Sequence, residues 1–392
     1  MSETQSPPGL GIPPSPHTVN VSIIDTTATI RGVSPPLFVS PPIPGHEALA
    51  VPVFSFLIQH PGLNRAVLFD LGIRKDWQNL SPPLLVHIKS LGWTLHVDKD
   101  VHQILEEGGV DTSTIEAIVW SHHHFDHVGN PNTFPPSTAL IVGPGFGTML
   151  PGYPTNPEST ILESDLANRR VIELDFDSGK PGSSACPRVA IGRFRALDYF
   201  GDGSFYFLDT PGHTVGHISA LARVTASPPS FILLAGDAIR HPGELRPSRY
   251  LPLPTDIIPD PFAPDPHPLE SHYGCPGDVF DALFAGRGRP VSGPVYAPAV
   301  QSPFLHDVDE VLRTIEKLQE ADAHCNVFVA AAHDETLLDH VAFFPQGTLN
   351  AFVARGWVKR VRWRFLKDFA VAVGRMDHGL GKRAWGREAI ET

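Results

Sequence analysis

Apolar and polar positions along this chain fall into short runs that predict alternating strands and helices. Residues 19–24 alternate in the manner of a half-buried strand, and residues 51–58 form a second strand-like run. Residues 98–107 carry apolar side chains at helical spacing before a Gly-Gly stop, and residues 307–320 repeat the helical period. This rhythm predicts an α/β fold with helices packed on the faces of a sheet.

The same patterns divide the chain into a main domain and its additions. Residues 1–18 are rich in Pro, Ser and Gly without a hydrophobic period, which predicts a disordered leader. Residues 19–345 hold the predicted strands and helices, interrupted at about residues 240–303 by a Pro-rich insertion. Residues 346–392 include a mixed aromatic and basic stretch, and we expect this extension to pack its apolar side on the domain.

The densest group of candidate ligands follows the apolar run of residues 115–120. His122, His124, Asp126 and His127 lie in the turn that this predicted strand enters. Imidazole and carboxylate groups together suit a borderline metal such as zinc, and four of them in one turn can surround more than one ion. Because open α/β sheets bind ligands where their strands end, the sequence predicts a metal site here.

Three further candidate ligands occur in the same setting downstream. His213, Asp237 and His333 each lie at or just after an apolar, strand-like run. A histidine-rich surface turn can arise by composition alone in a chain with 20 His. The repeated setting instead favours ligands that several strands bring to one site.

Four short motifs, taken together and in order, resemble those of the metallo-β-lactamase superfamily of binuclear hydrolases. They are His-x-His-x-Asp-His at 122–127, Gly-His-Thr at 212–214, Gly-Asp at 236–237 and Ala-His-Asp at 332–334. The set is more similar to the lactonase and glyoxalase II-like branches, and the overall pattern resembles fungal lactamase-like proteins. The resemblance implies a four-layer αβ/βα sandwich, in which residues 19–200 and 204–345 face each other with the metals at the edge.

The resemblance also implies a role for each side chain. The first metal would be held by His122, His124 and His213, the second by Asp126, His127 and His333, with Asp237 bridging the two. Asp70 would fix the metal-binding loop from behind without binding metal. The family's chemistry implies two Zn²⁺ ions per chain, a hydroxide between them as the nucleophile, and Asp126 as a proton carrier to the leaving group.

This chemistry favours a metal-dependent hydrolase that opens a cyclic ester or amide, which is a lactonase or a lactamase. A thioesterase of the glyoxalase II type is the alternative, in which Arg246 and Arg249 would hold the carrier group. A nuclease or a non-catalytic metal-binding protein is less favoured, because the ligand set is intact and the chain is acidic. His124 stands where flavodiiron oxygen reductases usually carry Glu, which favours hydrolysis with zinc over redox chemistry with iron.

The composition of the chain limits the kinds of partner and the cellular location that we expect for the protein. The net charge of −12 opposes nucleic-acid binding, which needs a dominant cationic surface. The sequence has no run of about 18 apolar residues that would predict a membrane span, and its N-terminus has no secretory pattern, so we expect a cytoplasmic protein. Its three cysteines show no CxxC pairing, so neither a disulfide framework nor a thiolate zinc site is predicted. We expect a small-molecule substrate, and the oligomeric state stays open.

Residue spacing does not identify the substrate contacts. The turn-rich residues 130–188 and the insertion are expected to border the pocket, because specificity usually lies on loops held by a rigid scaffold. Tyr250, His272 and Tyr273 are candidates for polar contacts to substrate, whereas His217 is expected to be a buried structural histidine.

Overall fold

A computed structural model of the protein describes residues 4–49, 51–177, 186–263, 274–285 and 293–375. Its strands are β1 (Asn20–Arg31), β2 (Val39–Ser40), β3 (Val51–His60), β4 (Arg65–Phe69), β5 (Thr94–Val97), β6 (Ile115–Val119), β7 (Ala139–Val142), β8 (Val171–Glu173), β9 (Arg188–Ile191), β10 (Phe194–Asp198), β11 (Phe205–Asp209), β12 (Ile218–Ala226), β13 (Pro229–Gly236), β14 (Asp256–Ile257), β15 (Cys275–Pro276), β16 (Ala297–Pro298) and β17 (Val327–Ala331). Its α-helices are α1 (Pro82–Ser90), α2 (Val101–Glu107), α3 (Phe125–Val128), α4 (Glu163–Leu166), α5 (Asp281–Ala285), α6 (Val308–Asp322), α7 (Phe352–Arg355) and α8 (Trp357–Val361). The predicted runs at residues 19–24, 51–58, 98–107 and 307–320 coincide with β1, β3, α2 and α6.

Most of the strands belong to two large sheets. The first has the strand order β5-β1-β3-β4-β6-β7-β8, and the second has the order β17-β13-β12-β11-β10-β9. Strands β4, β6, β7 and β8 run parallel to one another, and β13 runs parallel to β17. The pairs Phe69↔Val119 and Gly236↔Ala331 close two of these parallel ladders at their carboxyl ends. The turns that follow β4 and β6 therefore lie side by side at one edge of the first sheet. The turns that follow β13 and β17 likewise lie side by side at one edge of the second.

The two sheets pack face to face, and helices cover their outer faces. Phe56 and Val119 of the first sheet share a buried cluster with Phe207 and Ile232 of the second. Helix α2 packs on the outer face of the first sheet through Leu105, and α6 packs on the outer face of the second through residues that include Ile315. The predicted α/β class and the four-layer αβ/βα sandwich are confirmed.

The division between the two halves differs from the predicted one. Strands β9 and β10 form a hairpin at Gly192 that pairs with β11, so they belong to the second sheet. The first half therefore ends after β8 and before β9 rather than near residue 200. The turn at residues 201–203 joins two neighbouring strands of one sheet, β10 and β11, as their alternation predicts.

Residues 4–18 contain no helix or strand, yet they lie against the second sheet. The carbonyl oxygen of Leu10 accepts a hydrogen bond from the backbone N–H of Gly192 at 2.6 Å, and Leu10 is only 8% exposed. The carbonyl oxygen of Pro8 lies 2.9 Å from Nε2 of His324. Composition predicts that this leader is disordered, but in the structure it is ordered. Main-chain hydrogen bonds and one apolar side chain hold it in place, although its sequence has no hydrophobic period.

A separate apolar cluster joins the insertion to the C-terminal extension. Ile257, Phe280 and Tyr296 of the insertion are buried together with Phe365 and Phe369 of the extension. The described part of the extension, residues 346–375, thus packs on the rest of the chain through its apolar side chains. Among the described residues, no helix combines the length and the apolar character needed to cross a membrane.

Candidate metal centre

The turn after β6 presents the first four candidate ligands. Strand β6 ends at Val119, and helix α3 begins at Phe125. His122 and His124 lie in the turn between them, and Asp126 and His127 lie in the first turn of α3. The His-x-His-x-Asp-His spacing therefore places two ligands before the helix and two within it.

The other three candidate ligands reach the same place from the second sheet. Asp237 directly follows β13, and His333 follows β17, the parallel neighbour of β13. His213 lies in the connection between β11 and β12. The structure thus brings together all seven residues that the sequence analysis singles out as metal ligands.

The donor atoms of these residues lie within a few ångströms of one another. Nδ1 of His124 lies 2.9 Å from Nε2 of His122 and 3.2 Å from Nε2 of His213. Nε2 of His333 lies 3.3 Å from carboxylate oxygens of both Asp126 and Asp237. Nε2 of His127 lies 3.4 Å from Oδ1 of Asp237, and Nε2 of His213 lies 3.5 Å from Oδ2 of the same carboxylate. Asp237 is therefore the residue that both groups of histidines face.

Hydrogen bonds on the far side of three rings fix which nitrogen faces the centre. Nδ1 of His127 donates to Oδ2 of Asp70 at 2.8 Å, and Nδ1 of His333 donates to the carbonyl oxygen of Pro52 at 2.7 Å. Nδ1 of His122 lies 3.1 Å from the hydroxyl of Ser121. A ring that binds a metal is neutral and carries one N–H, here on Nδ1, so each Nε2 could offer its lone pair to an ion in the centre.

The field inside the centre favours a cation. Burial lowers the pKa of His333, but the carboxylates of Asp237 and Asp126 outweigh burial and raise this pKa to about 10. Burial raises the pKa of Asp237, and the facing His333 and His127 reverse that effect and bring it well below its usual value. Lone pairs and carboxylates this close repel one another unless a positive charge lies between them.

The donor set fits zinc. Three groups of donors lie within 4.8 Å of one another, namely His122, His124 and His213; His122, His127 and Asp237; and Asp126, His127 and His333. Nε2 of His127 and Oδ1 of Asp237 are buried and have no hydrogen-bond partner among the described residues. Histidine nitrogen and carboxylate oxygen are ligands that zinc accepts in catalytic sites. These residues could therefore hold a pair of ions.

A fourth group, His46, His241 and Asp368, also has donor atoms within 4.8 Å of one another. Its hydrogen bonds do not suit a metal. Nδ1 of His241 accepts the backbone N–H of Gly243 at 2.9 Å, so the neutral ring carries its proton on Nε2. That Nε2–H donates to Asp368 at 3.1 Å, and it offers no lone pair to an ion. This group is an internal hydrogen-bond network.

Asp70 lies behind the centre in a strained backbone conformation. Its φ of 62° falls in the left-handed region, which non-glycine residues rarely adopt. Its carboxylate accepts hydrogen bonds from the backbone N–H of Ser121 at 2.7 Å, from the Ser121 hydroxyl at 2.9 Å and from His127. The side chain is fully buried and fixes the turn that carries the candidate ligands.

Ser121 and His217 support the candidate ligands. The sequence did not identify Ser121, and it identified His217 only as a buried histidine. Ser121 links Asp70 to His122, and its position immediately before the motif is the one signal that could have identified it. His217 is buried, as expected, and its Nδ1 donates to the carbonyl oxygen of Thr210 at 2.9 Å. Its Nε2 accepts the backbone N–H of Asp237 at 3.0 Å, so it also positions a candidate ligand.

Gly212, immediately before His213, lies close to a neighbouring helix. A glycine before His213 could allow the backbone to approach an ion. In the structure Gly212 has a φ of 124°, and a Cβ atom at this position would lie 2.3 Å from the backbone nitrogen of Val311. The close approach is therefore to the start of helix α6, which fixes the connection that carries His213.

A cavity of about 270 Å³ opens beside these ligands. Its walls are mostly apolar and include Phe38, Leu84, Trp93, Phe125 and Phe304, together with Arg240. Thr160, within the turn-rich residues 130–188, also lines it, as expected for that segment. Among the described residues of the insertion, only its two ends, Arg240 and Pro303, line the cavity, because the middle of the insertion packs with the C-terminal extension.

Several predicted substrate contacts lie elsewhere. Nε and Nη2 of Arg246 donate to the carboxylate of Asp322 at 2.7 and 2.6 Å in a buried ion pair. The guanidinium of Arg249 lies 5.3 Å from the ring centre of Tyr250, and neither residue lines the cavity. His272 and Tyr273 lie outside the described residues.

Comparison with known proteins places this arrangement in a wider group. The sequence profile of the Metallo-beta-lactamase superfamily matches residues 48–323. The chain is 44% identical over 375 residues to gamma-lactamase FDB1 of Fusarium pseudograminearum (strain CS3096), covering 94% of this chain and 87% of that protein. It is 42% identical over 372 residues to cytochrome P450 monooxygenase mpaDE' of Penicillium brevicompactum, covering 94% of this chain but only 39% of that protein.

A solved structure shares the fold. It is an N-acyl homoserine lactone hydrolase with the product N-hexanoyl-L-homoserine bound at its catalytic metal centre. The two chains superpose with a TM-score of 0.50 at 17% sequence identity, over 84% of this chain and 99% of the other. At this level of identity the likeness concerns the fold alone.

Proposed function

This chain belongs to the metallo-β-lactamase superfamily and is a hydrolase, and we propose that it uses two zinc ions to open cyclic esters or amides. The observation that carries this proposal is the set of seven side chains whose donor atoms face one another. Three of the histidines also bond outward through Nδ1, so the centre is organised to bind cations.

In this proposal the ligands divide between two ions. His122, His124 and His213 would hold the first, Asp126, His127 and His333 would hold the second, and Asp237 would contribute to both. When bound, such ions supply a water whose pKa is lowered to about 7 and a Lewis acid for the substrate carbonyl. Asp70 keeps His127 in place and does not itself bind metal.

Asp126 is the residue we assign to proton transfer. Its side chain is 12% exposed and lines the cavity, whereas His127 beside it is fully buried. A ring substrate in the cavity therefore reaches the Asp126 carboxylate directly. That carboxylate accepts the proton released during attack and donates it to the leaving oxygen or nitrogen as the ring opens.

The lining of the cavity supports a ring substrate over a thioester of a charged carrier. Its walls are mostly apolar, and Arg246, one of the two candidate cationic contacts, is engaged with Asp322. The name gamma-lactamase of the relative at 44% identity supports a lactam, and the cavity lining does not distinguish a lactam from a lactone. Both ring types remain within the proposal.

A hydrolysis screen tests this proposal. Purified protein would be offered lactones, lactams, thioesters and phosphodiesters, with and without a zinc chelator. We expect chelator-sensitive turnover of lactones or lactams. Turnover confined to thioesters would replace the proposal with the glyoxalase II-like alternative, and ring opening that is insensitive to chelation would remove its metal chemistry.

A further inference from the structure

We propose that His123 is a substrate-contacting residue, whose Nε2–H donates a hydrogen bond to the carbonyl oxygen of the substrate beside the first group of candidate ligands. The inference rests on the proposed function, because it assigns a residue to that reaction. Esters, amides and thioesters all carry a carbonyl oxygen, so the inference does not depend on the ring or the leaving group.

His123 lies inside the His-x-His-x-Asp-His motif but takes no part in the candidate metal centre. It belongs to none of the groups of metal-binding donors found among the described residues, whereas His122 and His124 on either side of it do. Its ring centre lies 5.2 Å from that of His124 and 6.5 Å from that of His122. The side chain of His123 therefore lies beside the first group of ligands without joining it.

One nitrogen of the His123 ring is open to the cavity. The residue is half-buried and lines the cavity. Its Nδ1 is buried and has no hydrogen-bond partner among the described residues. Its Nε2 has no partner among them either, but this atom is not buried. Nε2 is therefore the polar atom of His123 that a molecule in the cavity can reach.

The surroundings of the two nitrogens favour one tautomer of the His123 ring. A neutral imidazole carries one N–H and one lone pair. A proton on Nδ1 would be a buried N–H without an acceptor, and such orphaned donors are rarer in proteins than acceptors without a donor. The proton therefore belongs on Nε2, where water or a ligand accepts it. His123 thus presents a hydrogen-bond donor to the cavity.

The other polar side chains of the cavity that are not candidate ligands are less suited to this role. His87 and Thr160 line the cavity but are exposed, so water competes for their hydrogen bonds. Nη2 of Arg240 donates to Glu244, and Nε and Nη1 of Arg240 are buried. Among the described residues, His123 combines a sheltered position with an accessible donor that has no partner.

A donor in this position suits the carbonyl oxygen of a hydrolysed substrate. The walls of the cavity are mostly apolar, and a hydrogen bond is electrostatically stronger there than in water. Negative charge develops on the carbonyl oxygen during attack, and a preorganised donor stabilises that charge. Asp70 fixes the turn that carries His123 through the backbone N–H of Ser121, so the donor is held in place before the substrate binds.

The first test measures the binding of 4-hydroxybutanoate, the product of opening γ-butyrolactone, whose carboxylate stands in for the carbonyl group. Its affinity for the zinc-loaded full-length protein would be measured by calorimetry. His123→Leu removes the donor, and His123→Asn places its amide where Nδ1 lies, short of the cavity. We expect each change to weaken binding by roughly 10- to 100-fold, the value of a hydrogen bond to a charged group.

His123→Gln is the matched control, because the amide nitrogen of glutamine can take the position of Nε2 and restore the donor. Its affinity should stay within about threefold of the wild-type value. His102→Leu removes another half-buried histidine, which contacts Thr112 outside the cavity, and should leave the affinity unchanged. Metal content would be determined for every variant and should equal that of the wild type.

A second measurement reads the tautomer of His123 directly and needs no ligand. Long-range proton–nitrogen correlation spectra would be recorded on zinc-loaded protein with isotope-labelled histidine. The signals of His123 are assigned by their loss in His123→Gln. We expect a neutral ring protonated on Nε2, and a proton on Nδ1 would overturn the inference.

Failure of the wild type to bind 4-hydroxybutanoate, or wild-type affinity in His123→Leu, would overturn the contact. Equal affinities in His123→Asn and His123→Gln would do the same, because only glutamine restores the donor at Nε2. Loss of metal in His123→Gln would assign His123 to the support of the ligand turn and would also overturn it.

These outcomes are distinguishable from those of the proposed function. Because the two measurements record binding and protonation, a wild type that hydrolyses no lactone or lactam would refute the proposed function without affecting them. Conversely, chelator-sensitive hydrolysis together with unchanged affinity in all the His123 variants would leave the proposed function standing and remove this inference.

Discussion

Nδ1 of His127 lies 2.8 Å from a carboxylate oxygen of Asp70, and both side chains are fully buried. This bond fixes the ring so that Nε2 faces the centre. Asp70→Asn keeps the shape and tolerates the left-handed backbone, but it removes the negative charge. We expect metal affinity to fall roughly 10- to 100-fold, as for other outer partners of metal ligands. Competition with a chromophoric chelator would measure it.

Asp198→Asn is the matched control for this change. Asp198 is also a buried carboxylate, at the end of β10, and it accepts the backbone N–H groups of Gly201 and Gly203 in the turn that follows. It takes no part in the candidate centre, so metal affinity should stay at the wild-type value. If Asp70→Asn and Asp198→Asn bound metal equally well, Asp70 would have no supporting role.

A methyl group at position 212 should displace His213. Gly212→Ala would place its Cβ 2.3 Å from the backbone of Val311, whereas Gly109→Ala, at a φ of 82°, meets no atom within 4 Å. Both changes put alanine in a left-handed conformation, which costs of order 1–3 kcal/mol. We expect only Gly212→Ala to lower the metal content of purified protein. Loss of metal in both variants, or in neither, would contradict this account.

The candidate metal ligands could be identified from the sequence because their chemistry is local in sequence. The His-x-His-x-Asp-His motif follows an apolar strand, and Asp237 and His333 follow two others. Parallel pairing then brings strand ends to one edge, as the α/β rhythm implies. Asp70 could be inferred in the same way, since β4 and β6 are parallel neighbours.

The cavity could not be predicted, because its walls come from unrelated loops. Phe38, Trp93 and Phe304 have no shared motif, and they meet only through tertiary packing. Arg240 lies within the predicted insertion, yet only the structure shows that Arg246 is engaged in an ion pair and that Arg240 lines the cavity. The order of the N-terminal leader could not be predicted either, because main-chain hydrogen bonds hold it and such bonds leave no hydrophobic pattern in the sequence.

Stability should fall in acid through His241, which is not one of the candidate metal ligands. Burial lowers the pKa of His241 to about 4, whereas an unfolded histidine titrates near 6.5. The unfolded chain therefore binds more protons between these values. The stabilisation is fully present above about pH 6.5 and is lost as pH falls towards 4. The charged groups that act on His241 are Asp334, Glu335 and Lys367, and its Nε2 donates to Asp368.

His241→Asn tests this pH dependence. The asparagine oxygen can still accept the backbone N–H of Gly243, but the side chain does not titrate. Between pH 6.5 and 4, we expect the variant to lose up to about 3 kcal/mol less of its free energy of unfolding than the wild type. Urea unfolding of metal-stripped wild type and variant would measure this difference, because the candidate ligands titrate in both proteins and their contribution cancels. Identical pH profiles would contradict it.

Asp126 should matter most when the leaving group is poor. If its carboxylate carries a proton to the leaving atom, Asp126→Asn should slow a lactam by roughly tenfold or more beyond its effect on an aryl ester, whose phenolate leaves without assistance. The comparison would use kcat at matched metal content, because Asp126 is also a proposed ligand. An equal loss for both substrates would restrict Asp126 to metal binding.

Metal content measured together with ring-opening activity is the most direct test of the central claim. Elemental analysis should find about two zinc ions per chain in active wild-type protein. His124→Ala and Asp237→Ala should lose metal and hydrolysis together while circular dichroism shows that the fold is retained. Full hydrolysis of a lactone or lactam by metal-depleted Asp237→Ala would contradict the proposal that these seven residues form a di-zinc hydrolytic centre.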